Sequence, residues 1–357
     1  MAASAQESFA GLPPEPRANP SLLGHEAAEQ AFLGAWRGGR LAHGWLLGGP
    51  RGIGKETLAY RIARFVLAGG EAPTLALEPS DPVFRRVAAR GHSDLFSLER
   101  QVNERTGKLR GEIVVEDARR LSEFLALTPG EGAWRVAIVD GAEEMNRNAA
   151  NALLKVLEEP SACTLLILVS HAPGRLLPTI RSRCRFLPLR PLDHAGLREV
   201  LRPLLATLSA GDAETLIALA DGSPGRALAL HDAGGVALYR ELVALLGTLP
   251  ALDPGRLHAL ADRAAAGEGR DGFRLVGELL LAALARLVRP AGRESDALES
   301  AEAALRQRLL GAGRGLDQWV EVWDNLRRLF ARADAIELEP RQTLIGAFSA
   351  LERAARP

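Results

Sequence analysis

The sequence predicts two halves of different class: an α/β unit with a parallel sheet and helices on both faces, then an all-helical region. Three observations carry that expectation. Short apolar runs alternate with helical segments up to about Pro188, a glycine-rich loop joins the first run to a helix, and beyond Pro188 strand-like runs give way to Ala/Leu/Arg patterns of helical period.

In chain order, the first twenty residues are rich in Pro, Ala and Glu without periodicity and read as a flexible tail, with structure expected from about Leu22. Glu26 to Trp36 reads as a helix and Gly44 to Leu47 as a strand. The segment Gly48-Gly49-Pro50-Arg51-Gly52-Ile53-Gly54 follows, then a helix from Lys55 to Leu67. Gly69 to Asp81 is polar and reads as a loop. Ile113 to Val115, Arg135 to Val139 and Thr164 to Val169 are further strand candidates.

Between the last two runs, Ala150, Leu153, Leu154 and Leu157 recur at i, i+3, i+4 and i+7, opposite a polar stripe of Asn148, Asn151 and Lys155, and Pro160 ends the helix. Past Pro188, Gly222-Ser223-Pro224-Gly225 and Asp253-Pro254-Gly255 punctuate the helices. Pro290-Ala291-Gly292 closes the helix expected over Phe273 to Arg289. The apolar stretch Leu279 to Val288 within it is too short for a bilayer and reads as a bundle helix. The expected divisions are a tail at 1–20, an α/β domain at 21–190, a small helical unit at 191–237 and a helical bundle at 238–357.

A chain of 357 residues exceeds one comfortable core. Its 44 basic and 44 acidic side chains cancel, so no global field draws it to nucleic acid or an anionic membrane. All basic residues but Lys55, Lys108 and Lys155 are arginine, which makes a single arginine weak as a signal. Two cysteines, Cys163 and Cys184, form no framework and suit a reducing compartment. With no basic start or apolar core of a signal peptide, a cytoplasmic protein with no membrane partner is expected. Only 5% aromatic residues and a neutral charge speak against sequence-specific DNA reading. No paired catalytic carboxylates support polymerase chemistry.

Gly49, Gly52, Gly54 and Lys55 fit the G-x-x-x-x-G-K pattern between strand and helix, where backbone amides, the helix N-terminus and a lysine cradle phosphates. The next residue should be Ser or Thr to ligate magnesium. Here it is Glu56, and the hydroxyl arrives one residue late at Thr57, turned by about 100° around the helix. Asp140 ends an apolar strand as the candidate metal-side carboxylate, but Gly141 follows where a water-polarising glutamate belongs. Glu143 and Glu144 read as solvated acids opening the next helix. The residues leave two outcomes open: a loop that keeps the fold without binding nucleotide, or a nonstandard ATP and magnesium site using Lys55, Asp140 and Glu56.

His43 through Lys55, Asn148 through Pro160, and Ser182-Arg183-Cys184 together resemble the delta-prime family of bacterial DNA polymerase III clamp-loader subunits, which are AAA+ proteins. A weaker likeness covers Glu339 to Ile345. The resemblance implies an AAA+ α/β domain, a helical lid and a C-terminal all-α collar. It implies a loader that places a ring-shaped sliding clamp on primed DNA, with gamma/tau and delta subunits as partners. Arg183 is implied as an arginine reaching in trans into a neighbour's ATP site, and Arg226 as a lid arginine that senses nucleotide or packs the lid. Ser170 matches a small polar sensor position or serves a turn. His43 is expected to be a buried structural histidine, and both cysteines small buried apolar residues. Many relatives carry a four-cysteine zinc module, but no cysteine lies between Met1 and Ala162, so no zinc is expected. The alternatives are a motor ATPase resembling gamma or tau, which the absence of a long extension disfavours, and an unrelated phosphate-loop regulator.

Overall fold

A computed structural model describes residues 14–102, 107, 110–266, 270–288, 300–310 and 315–356. These fall into two compact units: residues up to Leu208 with Asp221–Arg226, and Ser209–Ala220 with residues from Ala227 onward.

The first unit is the expected α/β half. Its elements are α1 (Glu26–Arg37), β1 (Gly44–Gly48), α2 (Lys55–Leu67), α3 (Pro82–Ala88), β2 (Leu95–Leu98), α4 (Val115–Ala126), β3 (Arg135–Val139), α5 (Arg147–Glu158), β4 (Thr164–Ser170), α6 (Pro178–Arg181), β5 (Arg185–Pro188) and α7 (His194–Leu205). The five strands pair in parallel in the order β2-β3-β4-β1-β5. Parallel neighbours require crossovers, and here helices supply them and cover both faces.

Alternation along each strand divides the core in two. Trp45, Leu47, Val136, Ile138, Leu165 and Ile167 pack with Phe32 of α1 and with Ile62 and Phe65 of α2. Leu46, Ala137, Val139, Leu166 and Leu168 face the other way, against Leu121 of α4 and Leu153 and Leu157 of α5. With both faces buried, β1, β3 and β4 have no polar side, hence their unbroken apolar runs. On α5, Asn148, Asn151 and Lys155 are exposed, opposite Ala150, Leu153 and Leu157.

Two expectations are corrected. Ile113 makes only an isolated bridge to Met145, and Val115 already opens α4, so Ile113–Val115 is no strand. The edge strands β2 and β5, not expected from the sequence, complete the sheet. Ordered chain begins before Leu22: Pro16–Ala18 form a 3-10 turn. The buried Arg64 holds it, donating to the carbonyls of Arg17 at 3.0 Å and Asn19 at 2.7 Å, while Arg61 donates to that of Pro20.

The second unit is helical. It comprises α8 (Ala210–Ala220), α9 (Pro224–Asp232, from Ala227), α10 (Gly235–Leu246), α11 (Pro254–Ala265), α12 (Asp271–Val288), α13 (Ser300–Leu310), α14 (Leu316–Ala335) and α15 (Pro340–Ala355). Residues 191–237, expected as one helical unit, are thus shared: α7 and Asp221–Arg226 go with the sheet, and α8 and most of α9 with the bundle. Leu242, Phe273, Leu280, Trp319, Leu344 and Phe348 are fully buried. A polar knot lies among them, where Tyr239 donates to Glu302 Oε1 at 2.6 Å and Arg286 to Oε2 at 3.1 Å. Burial, then Glu302, pushes the Tyr239 hydroxyl pKa up. The break at 290–292 lies outside the described residues. Among the described residues no helix is long and apolar enough to cross a membrane.

Candidate functional site

The loop after β1 carries the phosphate-binding pattern. Gly49 lies under the chain that follows β5, where a Cβ would come within 2.4 Å of the Leu189 carbonyl oxygen. Gly52, at φ +72°, is pinned by the segment 221–226. Gly225 donates its N–H to the Gly52 carbonyl at 2.9 Å, Ser223 Oγ donates to the Arg51 carbonyl at 2.8 Å, and a Cβ on Gly52 would sit 2.5 Å from Ser223 Oγ. Gly54, at φ +96°, precedes α2. The buried His25 bonds the Ile53 carbonyl at 2.6 Å through Nε2. Sequence reasoning missed His25, which lies just outside α1 and matches no motif.

Lys55 is 3% exposed, and its ammonium donates to the Pro50 carbonyl of its own loop. Burial brings its pKa down to about 8, opposed by the charges of Asp140 and Glu143. Beside it, burial and then the nearby Asp140 and Glu99 raise the Glu56 carboxyl to about 7. Thr57 is buried in the first turn of α2.

Asp140, at the end of β3, has its pKa raised by burial, with Gly141 N–H and Lys55 opposing. Its Oδ1 is buried and has no hydrogen-bond partner. Gly141 adopts φ +65°, and a Cβ there would meet the Glu144 carboxylate at 2.7 Å. A glutamate at 141 would therefore be strained as well as crowded.

Glu143 and Glu144 are not the solvated acids expected. Glu143 Oε1 accepts the His171 N–H at 2.9 Å. Against the effect of burial, backbone N–H groups and the Ser170 hydroxyl hold its pKa low. Glu144 bridges Arg51 at 3.1 Å and Arg100 at 2.7 Å, tying the loop after β1 to those after β2 and β3. Burial, then the charge of Lys55, pulls the His171 pKa down to about 4, so its ring is neutral at pH 7, with Nδ1 buried and unpartnered. Lys55, Asp140, Glu143 and His171 thus form one electrostatically coupled group. Ser170 Oγ accepts the Ala172 N–H at 3.2 Å, a turn contact.

The Arg226 backbone N–H donates to Ser223 Oγ at 3.2 Å, and its Nε is buried without a partner. Arg183 stands apart, after α6. Its guanidinium donates to the Thr179 carbonyl at 3.0 Å and pairs with Glu158 at 2.7 Å, while its side chain stays 37% exposed. An exposed guanidinium fixed at two points is presented outward with restricted freedom.

His43 is half-buried and bonds the Leu157 carbonyl at 2.7 Å, joining β1 to the end of α5. Cys184 is buried, which raises its thiol to about 12. Cys163 departs from expectation: it is exposed, in a left-handed turn at φ +56° before β4. Among the described residues no group of three or more potential metal ligands gathers.

Residues 24–193 match the family described as DNA polymerase III, delta subunit. The chain is 43% identical over 209 residues to DNA polymerase III subunit delta′ of Pseudomonas aeruginosa, covering 57% of this chain and 61% of that protein. It is 33% identical over 164 residues to subunit delta′ of Bacillus subtilis, covering 45% and 46%. The chain thus spans about half to three-fifths of these relatives' lengths. A solved structure of a DNA polymerase III gamma-subunit-related protein from Thermotoga maritima is 19% identical, with a TM-score of 0.42, covering 91% of this chain and 100% of that one. The phosphate loop, Asp140 and Arg183 all lie inside the matched segment, residues 24–193, over which the chain is similar to the DNA polymerase III delta-subunit family.

Proposed function

We propose that this chain is a non-hydrolysing subunit of a DNA polymerase III clamp loader, working in the cytoplasm with gamma/tau and delta subunits to place a sliding clamp on primed DNA. Arg183 serves a neighbouring motor subunit as an arginine finger. The observation that carries this reading is the state of Arg183: exposed, tethered to Thr179 and Glu158, and free of any role in its own phosphate loop. A guanidinium supplied across an interface offsets phosphoryl charge and makes hydrolysis depend on assembly.

The loop's own residues do not fit magnesium and ATP. The Lys55 ammonium is spent on the Pro50 carbonyl, Glu56 occupies the position of the magnesium-ligating hydroxyl, and Gly141 has no carboxylate to polarise water. Gly49, Gly52, Gly54, Thr57, Asp140 and Arg226 therefore serve as scaffold, with the 221–226 segment closed onto the loop.

The test is a reconstituted loader carrying either this chain or its Arg183→Ala variant, with equal assembly verified. Turnover at the adjoining ATP site is expected to fall by roughly 10³-fold. An unchanged rate overturns the finger. Saturable magnesium-dependent ATP binding by the purified chain, abolished by Lys55→Ala, would instead favour a motor ATPase.

A further inference from the structure

Alongside α1, away from the phosphate loop, the first unit contains a pocket of about 510 Å³ lined by Gln30, Ala31, Gly34, Ala35, Arg40 and Arg185. Ala31, Gly34 and Ala35 fall at i, i+3 and i+4, so one side of α1 forms a floor of small residues. At Gly34 an added Cβ would meet nothing within 4 Å, so this floor opens directly into the cavity.

The charge lining the pocket is one-sided. Two arginines and no acid line it. Arg183, Arg263 and Arg327 each find a carboxylate. Among the described residues neither Arg40 nor Arg185 does. Arg185 is nonetheless held in place, its guanidinium 4.9 Å from the ring centroid of the fully buried Trp45. Cation–π contact of this kind orients the cation without neutralising it.

Size and charge together select a ligand. The volume lies within the usual range of small-molecule sites, about 300–1,000 Å³. Two uncompensated positive charges match a phosphate monoester, which carries about −1.5 to −2 at neutral pH and offers each arginine fork a pair of oxygens. A single carboxylate would leave one guanidinium unmatched. We propose that this pocket binds a phosphate monoester, its phosphoryl group between Arg40 and Arg185 and its body over Ala31, Gly34 and Ala35. Such a group can come from a small phosphorylated molecule or from the 5′-phosphate of a nucleic-acid end.

The full-length chain is titrated calorimetrically with inorganic phosphate, a nucleoside 5′-monophosphate, succinate, and a short single strand with and without its 5′-phosphate. Saturable phosphate binding is expected, weakened at least tenfold by Arg40→Gln or Arg185→Gln and retained in Lys55→Ala. Gly34→Leu should exclude the nucleoside monophosphate while keeping both charges. It is a fold-preserving control, because the substitution raises helix propensity at an open position. Tighter binding of the nucleoside monophosphate than of the phosphorylated strand identifies a small molecule as the source, and the reverse order a strand end. The proposal is overturned by absence of saturable phosphate binding, by loss in Lys55→Ala with both arginine variants unaffected, by succinate binding as tightly as phosphate, or by retention of the monophosphate in Gly34→Leu.

Discussion

Glu56 should make the first unit less stable as pH rises, and replacing it with glutamine should remove that loss. Its carboxyl is raised from 4.5 to about 7, first by burial and then by Asp140 and Glu99. Between these values the folded chain keeps a proton that the unfolded chain has given up, so stability is unaffected below about 4.5 and falls as pH climbs to about 7. The gap corresponds to about 3 kcal/mol if fully expressed, and partial solvent access brings the expected loss to roughly 2 kcal/mol. Glu56→Gln is neutral throughout. Relative to the parent it should gain roughly 2 kcal/mol between pH 4 and pH 8.

The second unit must not contaminate that measurement, and Cys184 provides the means. It is buried in the first unit, so in a Cys163→Ser background a brief thiol-labelling pulse after urea equilibration reads the unfolding of that unit alone. If parent and Glu56→Gln give parallel pH profiles, the carboxyl is not held out of water by its neighbours, and the account of the site's electrostatics fails.

Gly52→Ala should destabilise the first unit by about 2–3 kcal/mol, since alanine must adopt a left-handed backbone and its methyl meets Ser223; the Cys184 label measures it, and an unchanged urea midpoint refutes the pinning. Arg64→Met keeps an apolar side chain but removes the guanidinium over Phe84 and its bonds to the Arg17 and Asn19 carbonyls, those bonds worth about 2–3 kcal/mol together, and should expose residues 14–20 to limited proteolysis at least tenfold faster while the sheet stays resistant. Tyr239→Phe strips a 2.6 Å bond from the buried Glu302 carboxylate and should cost the second unit about 2 kcal/mol, read as lost hydrogen-exchange protection in α12; full protection would refute it.

How much of the molecule the sequence discloses depends on how local each cause is. β1, β3 and β4 are legible because burial on both faces leaves no polar residue to interrupt them. The edge strands are not: Phe96 and Ser97 sit among charges, Phe186 is half exposed, and Pro188 argues against a strand that it in fact terminates at the sheet's edge. Ile113 misleads because a buried isoleucine bridging to Met145 has the same local signature as a strand residue.

The site divides the same way. The glycines, Lys55 and Asp140 follow a contiguous pattern, so their placement is readable. Glu143 and Glu144 are misjudged because their partners, His171, Arg51 and Arg100, are distant in sequence. His25 and the closure of Ser223 and Gly225 onto the loop are long-range facts with no local trace.

That closure also sets a schedule for synthesis. Ser223 lies 172 residues beyond Arg51, so the loop leaves the ribosome long before the segment that fixes it. At about 5–20 residues per second, the sheet waits on the order of ten to thirty seconds for its last piece. Meanwhile α8, emitted between Leu208 and Asp221, belongs with helices not yet made. Its Leu216, Ile217 and Leu219 are buried in the folded unit, where α8 packs on α10, which is made later. The chain passes from one unit to the other three times, at 208/209, 220/221 and 226/227. No single cut yields either unit whole: stopping at 208 leaves Gly52 unpinned, and stopping at 226 strands an apolar helix. The nascent protein is therefore at its stickiest just as its first domain nears completion, the interval in which a chaperone would matter most.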